Sequence, residues 1–155
     1  LSWFVKTFDQ LTNNELYDLI KLRVDVFVVE QDCPYPDLDN LDREPETIHV
    51  IAYDETSELV AYCRVLAPNV AYEGESAIGR VIVSESVRGQ KVGHQLMERA
   101  LKLTAEHWPN CDCHISAQQH LSKFYQNLGF VQITEMYLED GIPHIGMRKV
   151  KSQQD

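Results

Sequence analysis

The sequence predicts a three-layer α/β (α+β) domain built on a mixed, partly antiparallel sheet, and three observations carry that reading. The first is the stretch from 76 to 117. Ala77-Ile78-Gly79-Arg80-Val81-Ile82-Val83 is β-branched and apolar on both faces, as in a strand covered on both sides. Val92, Leu96, Ala100 and Leu103 then recur at helical spacing, with Met97 and Leu101 beside them, and Cys111 to Ala117 reads as another strand. A strand-helix-strand crossover of this length makes its two strands parallel and the connection right-handed. The second is a hairpin, His49 to Tyr53 and Leu59 to Leu66, joined by the polar Asp54-Glu55-Thr56-Ser57-Glu58. The third is a pair of further amphipathic helices, one before and one after these strands.

In chain order, Trp3 to Phe8 is aromatic and β-branched and reads as a first strand. Thr12-Asn13-Asn14-Glu15 is a capping box, in which Thr12 accepts from the backbone of Glu15 and Glu15 reaches back. The helix it opens puts Leu16, Ile20, Val24, Phe27 and Val28 on one face and ends ahead of Cys33-Pro34. Residues 32 to 47 form a long loop. Asp32, Asp37, Asp39, Asp42, Glu44 and Glu46 face only Arg43 within it, and Pro34, Pro36 and Pro45 stiffen it. Such a loop reads either as a solvated charged segment or as a device that concentrates cations at a site. After the crossover, Leu121, Phe124, Tyr125 and Leu128 define a short helix with Gly129 as its terminator. Phe130 to Ile133 begins a strand, a Glu-Asp-Gly turn lies between Met136 and His144, and Ile145 to Val150 closes the sheet. Lys151 to Asp155 reads as a frayed tail.

With 155 residues, the chain reads as one domain over 1–155, long enough to bury about 70% of its unfolded surface. Its 44% hydrophobic and 25% charged content are those of an ordinary soluble protein. A net charge of −10 argues against nucleic acid or an anionic membrane as main partner, and suits a cationic one. No apolar run is long enough for a bilayer, and the N-terminus is not a signal peptide, so a cytoplasmic protein with reduced Cys33, Cys63, Cys111 and Cys113 is expected. Cys111-Asp112-Cys113-His114 lacks zinc-knuckle spacing, and strand alternation would turn His114 away from the thiols, so no metal is expected.

The chemistry concentrates where the crossover helix begins. Arg88-Gly89-Gln90-Lys91-Val92-Gly93 places two cations at a helix N-terminus, where each is disfavoured by roughly 0.3–1 kcal/mol. A bound anion would remove the conflict, and the glycines let backbone N–H groups converge on phosphate oxygens. Strand, turn and helix together resemble motif A of the GCN5-related N-acetyltransferases (GNAT), Arg/Gln-x-x-Gly-x-Gly/Ala. Arg88 and Gly93 fit its ends, while Lys91 replaces the central glycine and is expected to present its N–H from a helical conformation. Leu22 to Gln31, Cys33-Pro34-Tyr35-Pro36, Phe124-Tyr125 and Glu139 to Met147 further resemble the bacterial ElaA-like subgroup, over nearly the whole chain.

That resemblance implies the acyl-CoA N-acyltransferase fold, with a mostly antiparallel sheet and two splayed parallel central strands. It also implies an N-acetyltransferase that takes acetyl-CoA as cosubstrate and acetylates a small-molecule or peptidyl amine in a ternary complex. Arg88, Gly89, Gln90, Lys91, Val92 and Gly93 would surround the pyrophosphate, with Gln118 or Ser122 nearby. Val83, with Val81 its neighbour, would offer backbone groups to the pantetheine arm and the reacting carbonyl. Tyr125 would protonate the departing thiolate, and Glu30 and His144 are the acceptor-side candidates for a base. A non-catalytic acyl-CoA module or sensor on the same fold is the alternative. A homodimer is compatible with the family, and the acceptor is not identified.

Overall fold

The computed structural model describes residues 1–152, so the last part of the tail read as frayed lies outside the described residues. Eight strands and three α-helices follow in the order β1 (Ser2–Thr7), α1 (Asn13–Arg23), β2 (Ile48–Tyr53), β3 (Leu59–Leu66), β4 (Ser76–Val83), α2 (Val92–His107), β5 (Cys113–Gln118), α3 (Ser122–Asn127), β6 (Val131–Gln132), β7 (Tyr137–Glu139) and β8 (Ile142–Lys149). They form one sheet in the order β1-β2-β3-β4-β5-β8-β6, with β7 paired to β8 beside it. All pairings are antiparallel except β4 with β5.

One core lies under α2 and α3, where Leu96, Met97 and Ala100 have no exposed surface. Burying Leu96 or Met97 stabilises the fold by about 1.5–3 kcal/mol each. A smaller core on the other face seats Leu19 of α1 on Ile51, Leu59, Tyr62 and Ile82. The three layers expected from sequence are therefore helix, sheet, helix.

The Thr12–Glu15 capping box forms as expected, with Glu15 N–H donating to Thr12 at 3.1 Å and Thr12 N–H to Glu15 at 2.8 Å. The helix does not continue as α past Arg23. Val24–Glu30 is a π-helical segment, and Val24 is exposed rather than on a buried stripe. The second crossover strand starts at Cys113, not Cys111, and the last strand starts three residues earlier than expected, at Ile142. Asp140 and Gly141, with φ of 50° and 79°, join β7 to β8 as a tight two-residue hairpin.

Three aspartates of the acidic loop, Asp37, Asp39 and Asp42, are neutralised from outside it. Arg23, without exposed surface, donates to Asp37 at 2.8 Å and to Asp42 at 2.6 Å. Arg64 forks onto both oxygens of Asp39 at 2.8 Å and reaches Asp42 at 3.1 Å. Arg80 lies 3.0 Å from Asp37. Burial alone would raise the Asp39 and Asp42 carboxyls, but hydrogen bonds and charge from these arginines outweigh it and hold both below the ordinary value. Beneath them His49 is fully buried. Its Nε2–H donates to the Asp42 carbonyl at 2.9 Å, so Nδ1 accepts from Tyr62 O–H at 2.7 Å, and burial lowers its pKa.

Candidate active site

β4 and β5 pair only at Ser76–Cys113 and Ala77–His114, and then separate. β4 also carries a bulge on its β3 side. Between its pairs with Arg64 and Tyr62, β4 carries one extra residue, and Arg80 there takes a left-handed φ of 52°. Ser84 N–H still bonds Val60 O of β3 at 2.7 Å, so strand alternation turns the backbone of Val83 away from β3, into the gap. Arg88 Nε donates to the Val83 carbonyl at 2.9 Å, which agrees with that orientation. Val81 lies two residues upstream along this open edge.

Beside the edge is a cleft of about 660 Å³ lined by Val83, Val87, Arg88, Gly89, Lys91, Val92, Gly93 and His94, with Leu121, Phe124 and Asn127 opposite. Val92, Gly93 and His94 are the first turn of α2, whose N–H groups have no partner within the helix. A Cβ on Gly93 would stand 3.6 Å from both the Phe124 ring and Val83, narrowing the cleft. Gly89 turns the chain at φ 83°. Lys91 differs from expectation. It caps α2 at φ 61° and ψ 21°, a left-handed rather than helical conformation. Left-handed backbone costs a non-glycine residue about 1–2 kcal/mol, and glycine gives back about 0.4–1 kcal/mol in unfolded-chain entropy. Lys91→Gly is therefore expected to stabilise the fold by about 0.5–1 kcal/mol in a urea melt; a destabilised variant would show that the lysine side chain holds the turn.

Glu30 sits on this side of the molecule, at the end of the π-helical segment. Its two oxygens accept from Arg88 at 3.2 and 2.9 Å, and that contact raises the guanidinium pKa. Arg88 thus ties the turn to Glu30 and to Val83. Gln90 does not line the cleft.

Tyr125 lies behind the cleft, 6% exposed, with its ring edge-on to Phe124 and Phe130. Gly129, at φ 98°, ends α3 by bonding its N–H to Gln126 O at 3.0 Å, while Phe130 N–H bonds Tyr125 O at 3.1 Å. The Tyr125 hydroxyl enters no hydrogen bond among the described residues, and burial, reinforced by the nearby Cys63 thiol, pushes its pKa up to about 12.

The opposite face of β5 and β8 carries a second polar group. Alternation along β5 turns His114, Ser116 and Gln118 to one face and Cys113, Ile115 and Ala117 into the core. Gln118 pairs across strands with His144 and reaches Gln31 at 3.5 Å, so it lies on this face rather than in the cleft. His144 is buried. Its Nδ1 is 2.7 Å from the Ile142 carbonyl, which can only accept, so Nδ1 carries a proton. Nε2 lies 3.3 Å from Glu139, whose other oxygen accepts from Ser116 at 3.1 Å; Ser116 also bonds the Tyr137 hydroxyl. Ser116 and Tyr137 were not singled out from sequence. The alternation of β5 would have found Ser116, but Tyr137 sits in a three-residue strand with no periodicity to read.

Residues 25–151 match the family described as "Acetyltransferase (GNAT) domain". The chain belongs to the GNAT acetyltransferase family. Protein ElaA of Escherichia coli (strain K12) is 46% identical over 149 residues, 96% of each chain. The crystal structure of Escherichia coli ElaA superposes with a TM-score of 0.90 at 45% identity, over 96% of this chain and 99% of that one. An acyl-CoA N-acyltransferase from Pseudomonas aeruginosa also gives 0.90, at 49% identity, over 97% and 100%. An aminoglycoside 6'-N-acetyltransferase complexed with coenzyme A shares the fold alone, with a TM-score of 0.70 at 17% identity over 98% and 99%. The splayed pair in an otherwise antiparallel sheet is thus the GNAT fold, and family and fold together support an acyltransferase. No helix of the described residues is long and apolar enough to cross a membrane.

Proposed function

We propose that this GNAT chain transfers the acetyl group of acetyl-CoA to an amine by direct attack in a ternary complex. The observation that carries the reading is the open β4 edge running into the free N–H groups of α2, two backbone features that fit a pantetheine arm and a pyrophosphate in turn. Acetyl-CoA supplies an activated thioester, with a carbonyl open to attack and a sulfur that leaves. Lys91, Gly89 and the first turn of α2 hold the phosphates, and the Val83 N–H faces the carbonyl oxygen as charge develops there. Tyr125 gives its proton to the departing sulfur and is reprotonated by the second proton, which the nitrogen sheds as the amide forms. The amine approaches from the His144 face. His144 Nε2 takes its proton, and Glu139 stabilises the resulting imidazolium. Glu30 anchors Arg88 in this scheme and is not the base. Four unpaired cysteines agree with a reducing cytoplasm as the place of reaction.

The experiment is calorimetric titration with acetyl-CoA at two salt concentrations, followed by a thiol-release assay across amines. Saturable binding that weakens with salt is expected; no binding at millimolar acetyl-CoA would end the proposal. His144→Gln is expected to lower kcat about 10²-fold at neutral pH and to recover towards pH 10, where the amine deprotonates unaided. A loss that is uniform in pH would remove His144 as the base.

A further inference from the structure

From the distribution of charge around His144, we infer that the acceptor is an alkyl amine with at least two ammonium groups and no carboxylate, a diamine or polyamine. The inference rests on the acetyl-transfer reading and names its second substrate. Two turns in contact form a rim beside His144. Cys33 Sγ–H donates to the Asp140 carbonyl at 3.3 Å, which brings the end of the π-helical segment against the β7–β8 hairpin. Three carboxylates stand on this rim, Asp32, Glu139 and Asp140, all exposed. Among the described residues, Glu139 is engaged by His144 and Ser116, and none of the three is paired with a lysine or arginine.

Arg148 and Arg80, on strands of the same sheet, are already neutralised. Arg148 is bonded to Glu75, which also takes His114 Nδ1 at 2.7 Å. Arg80 is held by Asp37 and Asp39. An amino acid would bring its carboxylate to a rim where, among the described residues, no lysine or arginine is paired with Asp32, Glu139 or Asp140. A second ammonium, by contrast, finds carboxylates waiting, and the Tyr137 ring, stacked on His144 with its centroid 6.2 Å away, offers an apolar wall for a methylene chain.

The test compares three amines that differ by one group: putrescine, butylamine, which lacks the second amine, and ornithine, which adds a carboxylate. A peptide with a free N-terminus is included. Putrescine is expected to exceed butylamine and ornithine in kcat/KM by about tenfold or more at low salt. Asp32→Asn with Asp140→Asn is expected to shrink the putrescine-to-butylamine ratio about threefold or more. Both positions have a φ of 50°, which asparagine tolerates, so the variant keeps its fold. Equal use of butylamine, preference for ornithine, turnover of the peptide alone, or a ratio unmoved in the variant would each overturn the inference. So would saturable acetyl-CoA binding with no turnover of putrescine, while the cofactor half of the proposed function stood. Absence of acetyl-CoA binding would instead bring down the acetyl-transfer reading, and this inference with it.

Discussion

Tyr125→Phe lowers kcat about 10²-fold and leaves the calorimetric Kd for acetyl-CoA unchanged. The ring is what the fold uses: it packs edge-on to Phe124 and Phe130 and is locked by the bonds that end α3 at Gly129 and Phe130. Phenylalanine keeps all of that. The hydroxyl has no partner among the described residues, so its removal leaves no protein group unsatisfied. With a pKa raised to about 12, first by burial and then by Cys63, the phenol stays protonated across the working range and serves as a donor, not a base. An unchanged kcat in the variant would take Tyr125 out of the mechanism.

Arg23→Ala costs the fold about 3–5 kcal/mol. The guanidinium is fully buried between Asp37 and Asp42, and its loss leaves Asp37 only Arg80 and Asp42 only Arg64 as cationic partners, with one charge fewer in a low-dielectric layer. For a domain of this size that is a fall in Tm of about 10 °C or more. The same layer sets the acid limit. Asp39 and Asp42 titrate lower in the folded than in the unfolded chain, so the unfolded state binds more protons as pH falls through the ordinary carboxyl value near ~4. Their contribution is whole above that value and is lost as pH drops through the folded values. His49, kept neutral by burial, adds a loss that begins below about pH 6.5, where the unfolded imidazole charges. Urea melts from pH 7 to pH 3 should show a steep decline in the native chain and a shallower one in Arg23→Ala. A loss below about 1 kcal/mol at pH 7 would mean that the pair is worth no more than a surface contact.

This layer is also where sequence reading fell short. A count of charge within residues 32 to 47 finds Arg43 and no other cation, and so leaves the aspartates free to attract a substrate. Their partners Arg23, Arg64 and Arg80 come from α1, β3 and β4, and only tertiary structure brings them together. The three aspartates are structural, and the carboxylates left for a ligand lie at the rim instead. Features written in local sequence were legible: the Thr12–Glu15 box, the crossover from 76 to 117, the terminating Gly129 and the clustering of Arg88 to Gly93 at one helix end. The left-handed Lys91 was not, because no residue type other than glycine announces that conformation. Nor was the bulge at Arg80, since a continuous apolar run hides one extra residue.

The gap between β4 and β5 also bears on how the protein stays dispersed. An unpaired strand edge is an invitation to aggregate, because its N–H and C=O groups template another chain. Here the vacant edge is in the middle of the sheet, with β3 behind it and β5 across from it. A thin, unbranched molecule can slide in and bond to it; a second polypeptide strand, with side chains on both faces, meets α2 on one side and the acidic loop on the other. The fold thereby keeps backbone groups available for recognition without leaving them open to self-association.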